Sequence, residues 1–396
     1  MSRTIAGVLA ALVVVSGVAG VALSPAAGQV ADEEGVDCSF PITVTDANGA
    51  NVTVSDRPER IVTLAPSASQ VLWELGAQDR VVGMPVNQYT SYLNGSEEKE
   101  NVVGEEGQPQ IETILDREPD LVLAPNIISE DAVEQLREAN LTVYRFESAS
   151  SIDDVVNKTR LTGRLVGSNE TATEVSARTA ATAEAYRTGT ADEDRPSVYY
   201  ALGDGNTAGP ETFIGDVIDA AGGDNIASAA NISGYDTISP EVVVEEDPDW
   251  IVVPEGAPVP TGPDINETTA IQENQIVRVD DNFVNQPGPR VTQPLETLAT
   301  AFHPEAAANV TLDTSAMDAP VCAAEATTTT TDASDTPTTT AGSNAETTTE
   351  AGTDTPESDQ TAGPTTERET TTAGPGFGIG AAIVAVLGAG IVARRR

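Results

Sequence analysis

One histidine, His303, and two cysteines, Cys38 and Cys322, supply all the imidazole and thiol of this sequence. A serine or cysteine nucleophile needs a base beside it, and a zinc or manganese site needs several nitrogen or thiolate ligands. The parts for both are missing, so neither a catalytic residue nor a metal site is expected. Carboxylates are the opposite case: 62 Asp and Glu against 20 Lys and Arg give a formal net charge of −42. Acid pairs at glycosidase spacing arise throughout such a chain, so counts alone do not dismiss that chemistry, but no motif points to it. Two glycine runs imitate nucleotide loops. Gly203–Asp204–Gly205–Asn206–Thr207–Ala208 follows a strand without opening a helix, and Gly376–Phe377–Gly378 lies in an apolar terminal run. A phosphate loop with its lysine is absent. No nucleic-acid partner is expected either, because phosphate contacts need a basic face and the only lysines are Lys99 and Lys158. The residues therefore point to binding and not to conversion, and no cofactor is implied.

The two ends of the chain are targeting segments. Residues 1–30 carry Arg3, an apolar run from Ile5 to Leu23 and small residues at Ala26–Ala27–Gly28, the layout of a signal peptide; the run is also long enough for an uncleaved helix. Residues 323–374 collapse to Thr, Ala, Gly, Ser, Pro, Asp and Glu, a composition that cannot bury a core and reads as an O-glycosylated stalk or a plain disordered tail. Residues 375–396 run from Pro375–Gly376–Phe377 through an apolar stretch to Arg394–Arg395–Arg396. That stretch is about 17 residues, the lower limit for a bilayer, and the terminal arginines suit the cytoplasmic side. In that order the features resemble the PGF-type C-terminal sorting signal of archaeal surface proteins, which implies lipid or helix anchoring at the outer face of the membrane. The acidic surface suits high salt, where counterions screen self-repulsion; in this the chain resembles haloarchaeal proteins. Behind a secretory signal a Cys38–Cys322 disulfide is the default, with a lipidated Cys38 as the alternative. Eight Asn-x-Ser/Thr sequons, at Asn51, Asn94, Asn140, Asn157, Asn169, Asn231, Asn266 and Asn309, agree with an exported glycoprotein.

Between the cysteines, strand and helix signals alternate. Ile42–Thr45 and Asn51–Val54 form a hairpin about Asn48–Gly49. Then come the strand Arg60–Ala65, the helix Ser67–Leu75, the strand Arg80–Met84, the helix Gln110–Arg117, the strand Leu121–Ala124, the helix Glu130–Ala139 and the strand Thr142–Phe146. Residues 149–190 keep helical spacing without a proline and predict one long helix. The alternation resumes over 191–322. This is an α/β pattern of mostly parallel sheets covered on both faces. An internal repeat divides it in two. Glu112 precedes Pro119–Asp120–Leu121–Val122–Leu123–Ala124–Pro125 by seven residues, and Glu241 precedes Pro248–Asp249–Trp250–Ile251–Val252–Val253–Pro254 by seven. Helix ends at Leu75–Gly76–Ala77 and Ala221–Gly222–Gly223 echo one another. The expected architecture is an N-terminal lobe (31–148), an interlobe helix (149–190) and a C-terminal lobe (191–322), two Rossmann-like lobes each closing its own sheet.

Five motifs now occur in a familiar order: Arg60–Ile61–Val62–Thr63–Leu64–Ala65–Pro66–Ser67; Gln110–Ile111–Glu112 through Pro119–Asp120–Leu121–Val122; Thr162–Gly163–Arg164–Leu165–Val166–Gly167; Gly222–Gly223; and Pro287–Gly288–Pro289–Arg290. Over roughly residues 40–310 the chain resembles the iron-siderophore and cobalamin class of periplasmic binding proteins. The resemblance implies the class III binding-protein fold, a rigid interlobe helix, a shallow cleft and delivery of a small ligand to an ABC permease with a cytoplasmic ATPase. It also implies permease docking through one acid on each lobe tip, here Glu112 and Glu241. A glutamate in a first helical turn also complements the helix dipole, so a purely local role stands beside docking.

Ligands of parallel sheets sit at the strands' carboxyl ends. That rule nominates Ser67, Tyr89, Tyr92, Asn126, Asn206, Phe283 and Arg290, with Tyr89, Tyr92 and Phe283 offering flat apolar contact. Arg290 suits a structural tie as well as a ligand contact. Trp73 and Trp250 fall within a helix and a strand and are expected to pack in the cores. A base-poor cleft suits a nearly neutral corrinoid better than an anionic ferric siderophore, although 4% aromatic content gives few rings to stack on a macrocycle. The expected protein is thus a monomeric extracellular cobalamin-binding component of an ABC importer. Iron(III)-siderophore or haem binding is the alternative ligand reading, and a structural surface glycoprotein the alternative class. Permease and ATPase genes beside this one would separate the classes.

Overall fold

The computed structural model describes residues 38–313 and 315. Cys322, both terminal apolar runs and the Thr-rich segment lie outside the described residues. An antiparallel hairpin, β1 (Ile42–Thr45) and β2 (Asn51–Val54), opens the chain. The N-terminal lobe then winds β3 (Ile61–Thr63), α1 (Pro66–Glu74), β4 (Val81–Met84), β5 (Glu100–Asn101), α2 (Ile111–Asp116), β6 (Leu121–Ala124), α3 (Glu130–Glu138) and β7 (Val143–Arg145) into a parallel sheet of order β5-β4-β3-β6-β7. Central strands β3 and β6 are buried along their whole length. That is why they read as continuous apolar runs and not as alternation.

Two helices follow, α4 (Ile152–Val166) and α5 (Asn169–Gly189). The long helix expected over 149–190 is therefore divided, and neither piece has the expected length: α4 has 15 residues and α5 has 21. Gly167 adopts the left-handed φ of 65° that closes a helix C-terminus, and Ser168 precedes the restart. The two helices pack antiparallel: Arg160 Nε donates to Ser176 Oγ at 3.1 Å, and the Gly163 backbone approaches Ala172. Each end of the hairpin is tied to a different lobe. Asp216 accepts from the Ile152 amide (2.7 Å) and pairs with Arg187 (3.0 Å), while Arg80 donates to the Val166 carbonyl (2.7 Å) and to Ser168 Oγ (3.2 Å). Accordingly Leu165, Val166 and Ala172 belong to the N-lobe core, and Ile152, Val155, Ala183 and Tyr186 to the C-lobe core.

The C-terminal lobe comprises β8 (Ser197–Tyr200), β9 (Asn206–Ala208), α6 (Phe213–Ala220), β10 (Asp224–Asn225), β11 (Tyr235–Thr237), α7 (Pro240–Glu246), β12 (Trp250–Pro254), α8 (Thr269–Gln272), β13 (Ile276–Val279), α9 (Asp281–Val284), α10 (Thr292–Phe302) and α11 (Pro304–Ala307). Its parallel sheet has the order β10-β8-β12-β13, and β9 pairs antiparallel with β11 beside it. Laid over the N-lobe order, β8 matches β3, β12 matches β6 and β13 matches β7, so the lobes share one winding. The repeated Pro-Asp has the same task in both. Asp120 accepts from the Glu59 and Arg60 amides at 2.8 Å ahead of β3, and Asp249 accepts from the Ser197 amide (2.7 Å) and hydroxyl (2.8 Å) at the start of β8. Each carboxylate thus caps the neighbouring strand's orphan donors. Trp73 packs on the N-lobe core and donates to the Asn94 carbonyl at 2.9 Å; Trp250 packs on the C-lobe core with Phe302 at 5.7 Å. Both tryptophans are partly buried and pack against the cores, where they were expected within them.

Candidate ligand cleft

Segments that follow the carboxyl ends of the two parallel sheets meet across the lobes. From the N-lobe come the start of α1 after β3, the loop after β4 and Phe146 after β7. From the C-lobe comes the segment after β13, through α9 to a 3-10 turn at Pro289–Val291. Tyr92 of the β4 loop lies edge-on to Phe283 with centroids 5.3 Å apart, and its hydroxyl donates to Gln286 Oε1 at 3.1 Å. Gln70 Nε2 donates to the same hydroxyl at 2.9 Å, while Gln70 Oε1 accepts from the Arg290 amide at 3.2 Å. Gln286 Nε2 returns to the Tyr89 carbonyl at 2.9 Å. Arg290 Nε pairs with Glu74 Oε1 at 2.7 Å, and its guanidinium stands 5.1 Å from the Tyr92 ring and 5.5 Å from that of Phe283. A Cβ at position 288 would collide with the Gln70 amide, so Gly288 is what lets the C-lobe turn sit on α1.

Lys158 of α4 enters the same region. Its ammonium lies 3.4 Å from Ser67 Oγ and 3.5 Å from the Pro287 carbonyl, 5.4 Å over the Phe146 ring. Burial pushes this ammonium down to about 8. Burial likewise raises the Tyr92 phenol, opposed by the hydrogen bond from Gln70 and the Arg290 charge, so Tyr92 stays a neutral donor. Partial burial, and then the charge of neighbouring Asp280, raise the Asp281 carboxyl from its ordinary value.

Five of the seven nominated residues, Ser67, Tyr89, Tyr92, Phe283 and Arg290, come together here. Asn126 and Asn206 do not join the hydrogen-bond network. Asn126 is exposed after β6, where its carbonyl accepts from Arg145, and Asn206 opens β9 and donates to Gly203 O at 3.0 Å. Arg290 takes the tie that its sequence context left open. Gln70, Glu74, Gln286 and Lys158 complete the network without having been nominated. Ser67, Gln70 and Glu74 are spaced i, i+3, i+7 along α1, a polar stripe on an otherwise buried helix, and that was the available signal. Glu112 and Glu241 are exposed in the first turns of α2 and α7, and neither forms an ion pair among the described residues. His303 is buried against the Gly222 carbonyl at 3.1 Å, away from the cleft. No group of His, Cys, Asp and Glu among the described residues suits a metal ion.

These features recur in known proteins. A family model described as periplasmic binding protein matches residues 61–283. A protein of Halobacterium salinarum described as a cobalamin-binding protein is 44% identical over 283 residues, which covers 67% of this chain and 75% of that one. An uncharacterised ABC transporter substrate-binding lipoprotein of Bacillus subtilis is 28% identical, over 67% of this chain and 87% of its own length. The solved apo structure of a periplasmic heme-binding protein from Roseiflexus sp. superposes with a TM-score of 0.55 at 26% identity, covering 63% of this chain and 99% of that one. With a shared fold, a family model that spans more than half of the sequence and a relative at 44% identity, this chain belongs to the periplasmic binding protein family.

Proposed function

We propose that this protein is the substrate-binding component of an ABC importer and captures a cobalamin-type corrinoid between its lobes. The observation that carries the ligand is the 44% identity to the Halobacterium cobalamin-binding protein. The cleft agrees with it: one uncompensated cation, aromatic edges from Tyr92 and Phe283, and neutral amides suit a large, weakly charged ligand. Haem is the second reading, favoured by the Roseiflexus structure. Haem iron takes an axial His, Cys, Met or Tyr; His303 is enclosed in the C-lobe core, while the Tyr92 hydroxyl is held by Gln70 and Gln286, so the 44% identity to the cobalamin-binding relative decides for the corrinoid. The family is one of binding proteins, and the cleft joins no nucleophile to a base, so no catalysis is assigned.

On this reading the body is exported, fastened by a Cys38–Cys322 bond and held at the outer membrane face through residues 375–396. It acts as a monomer, and Glu112 and Glu241 dock on the permease. Equal placement of the two acids on pseudo-symmetric lobes supports docking. Titration calorimetry with cyanocobalamin, haemin and a ferric siderophore tests the ligand assignment. Saturable 1:1 binding of cyanocobalamin, at least about tenfold tighter than the other two (about 1.4 kcal/mol), is expected; preference for haemin or the siderophore refutes it.

A further inference from the structure

Among the described residues, nine ion pairs each set a carboxylate on an arginine. Lys158 has no such partner, in a chain with 62 acids. Its side chain is drawn into the interlobe floor, where burial alone lowers the ammonium's pKa to about 8. An ammonium has three donors. The Ser67 hydroxyl at 3.4 Å and the Pro287 carbonyl at 3.5 Å take them at the long limit of hydrogen-bond reach. A half-buried cation with long, neutral contacts is incompletely satisfied. It stands at the place where the carboxyl ends of β3 and β7 look toward the C-lobe, with Ser67 on one side and the Phe146 ring beneath. A methionine would fill that space as a strut without the desolvated charge.

We infer that Lys158 is the oxyanion contact of the cleft: its ammonium and the Ser67 hydroxyl both donate to one singly charged oxygen group of the bound ligand. The inference rests on the corrinoid reading, in which that group is the phosphodiester of the nucleotide loop; a haem propionate has the same chemistry. The contact needs the charged lysine, so it is present below pH about 8 and lost above it. The charged and titratable groups on the elements around Lys158 leave it free for this role. Glu74 on α1 is held by Arg290, Asp154 one turn back on α4 is held by Ser150 and Ser151, and Tyr92 on the β4 loop is neutral. Glu147 lies past β7.

The test compares cyanocobalamin with dicyanocobinamide, a corrinoid lacking the phosphodiester, on wild type, Lys158→Met and Lys158→Arg, with thermal melts to confirm folding. Lys158→Met is expected to weaken cyanocobalamin about 10- to 100-fold, the range of a charge-assisted hydrogen bond, and to weaken cobinamide at least tenfold less. Lys158→Arg retains most of the affinity. Wild-type affinity for cyanocobalamin falls above pH about 8, and the Lys158→Met profile is flat there. Equal losses for both corrinoids make Lys158 a strut and overturn the inference, as does no loss for either. If wild type binds neither corrinoid, the ligand reading has failed. Haemin then decides the contact: a Lys158→Met loss confined to haemin with free propionates, and absent for its dimethyl ester, upholds the oxyanion role, and equal behaviour refutes it.

Discussion

Replacing Arg290 with methionine removes the strongest single tie between the lobes, and the structure sets the size of the effect. The Arg290 and Glu74 side chains are 26% and 29% exposed, and the pair closes at 2.7 Å. A fully exposed pair contributes about 0.2–1 kcal/mol, and breaking a fully buried one costs about 3–5 kcal/mol. This pair lies between, at about 1–2 kcal/mol. The guanidinium also faces Tyr92 at 5.1 Å and Phe283 at 5.5 Å, each worth about 0.5–1 kcal/mol at partly exposed sites. The Gln70 bond to the Arg290 amide survives the substitution. Arg290→Met should therefore lower stability by about 2–4 kcal/mol, or Tm by about 5–15 °C for a body of this size. The assay is a double-mutant cycle of Glu74→Gln and Arg290→Met in urea unfolding without ligand. A coupling energy of about 1–2 kcal/mol is expected. In molar salt, where the Debye length is about 3 Å, that coupling should shrink while the aromatic part of the Arg290→Met loss persists. Additive effects, within about 0.5 kcal/mol, would refute the claim that this ion pair holds the lobes together.

Three further outcomes follow from the same account. Glu112→Ala with Glu241→Ala should leave ligand affinity near wild type and sharply reduce uptake by cells; a parallel loss of affinity would put these acids in the cleft, and unchanged uptake would leave them only the helix-dipole role. Thiol labelling of the unfolded, unreduced protein should find no free cysteine, and two labelled sites would end the Cys38–Cys322 pairing, a crosslink expected to contribute about 2–4 kcal/mol. Deleting residues 375–396 should release the protein into the medium, and retention on membranes would require another anchor.

The lobes were legible because their signals are local. Buried parallel strands such as Leu121–Ala124 and Trp250–Pro254 read as short apolar runs, and the Glu–x6–Pro-Asp repeat announced two copies of one winding. The break between α4 and α5 was legible too, in a helix-closing Gly167 followed by Ser168, but the unbroken apolar spacing concealed it. Strands β9 and β11, three residues each, carry too little periodicity to stand out. The cleft was half legible for a different reason. The strand-end rule finds Tyr92 and Phe283 from topology alone. What it cannot supply is pairing across more than 190 positions, such as Tyr92 with Gln286 or Gln70 with Arg290. A lone lysine on an amphipathic helix likewise looks like a solvated residue until Ser67 and Phe146 are seen around it.

The central claim is that this protein carries a corrinoid to an importer, and native mass spectrometry of the protein purified from its own host tests it most directly. A co-purified mass matching one corrinoid per chain, released on unfolding and showing the cobalt-corrin visible spectrum, is the result expected. A stoichiometric haem or ferric siderophore in its place would contradict the account.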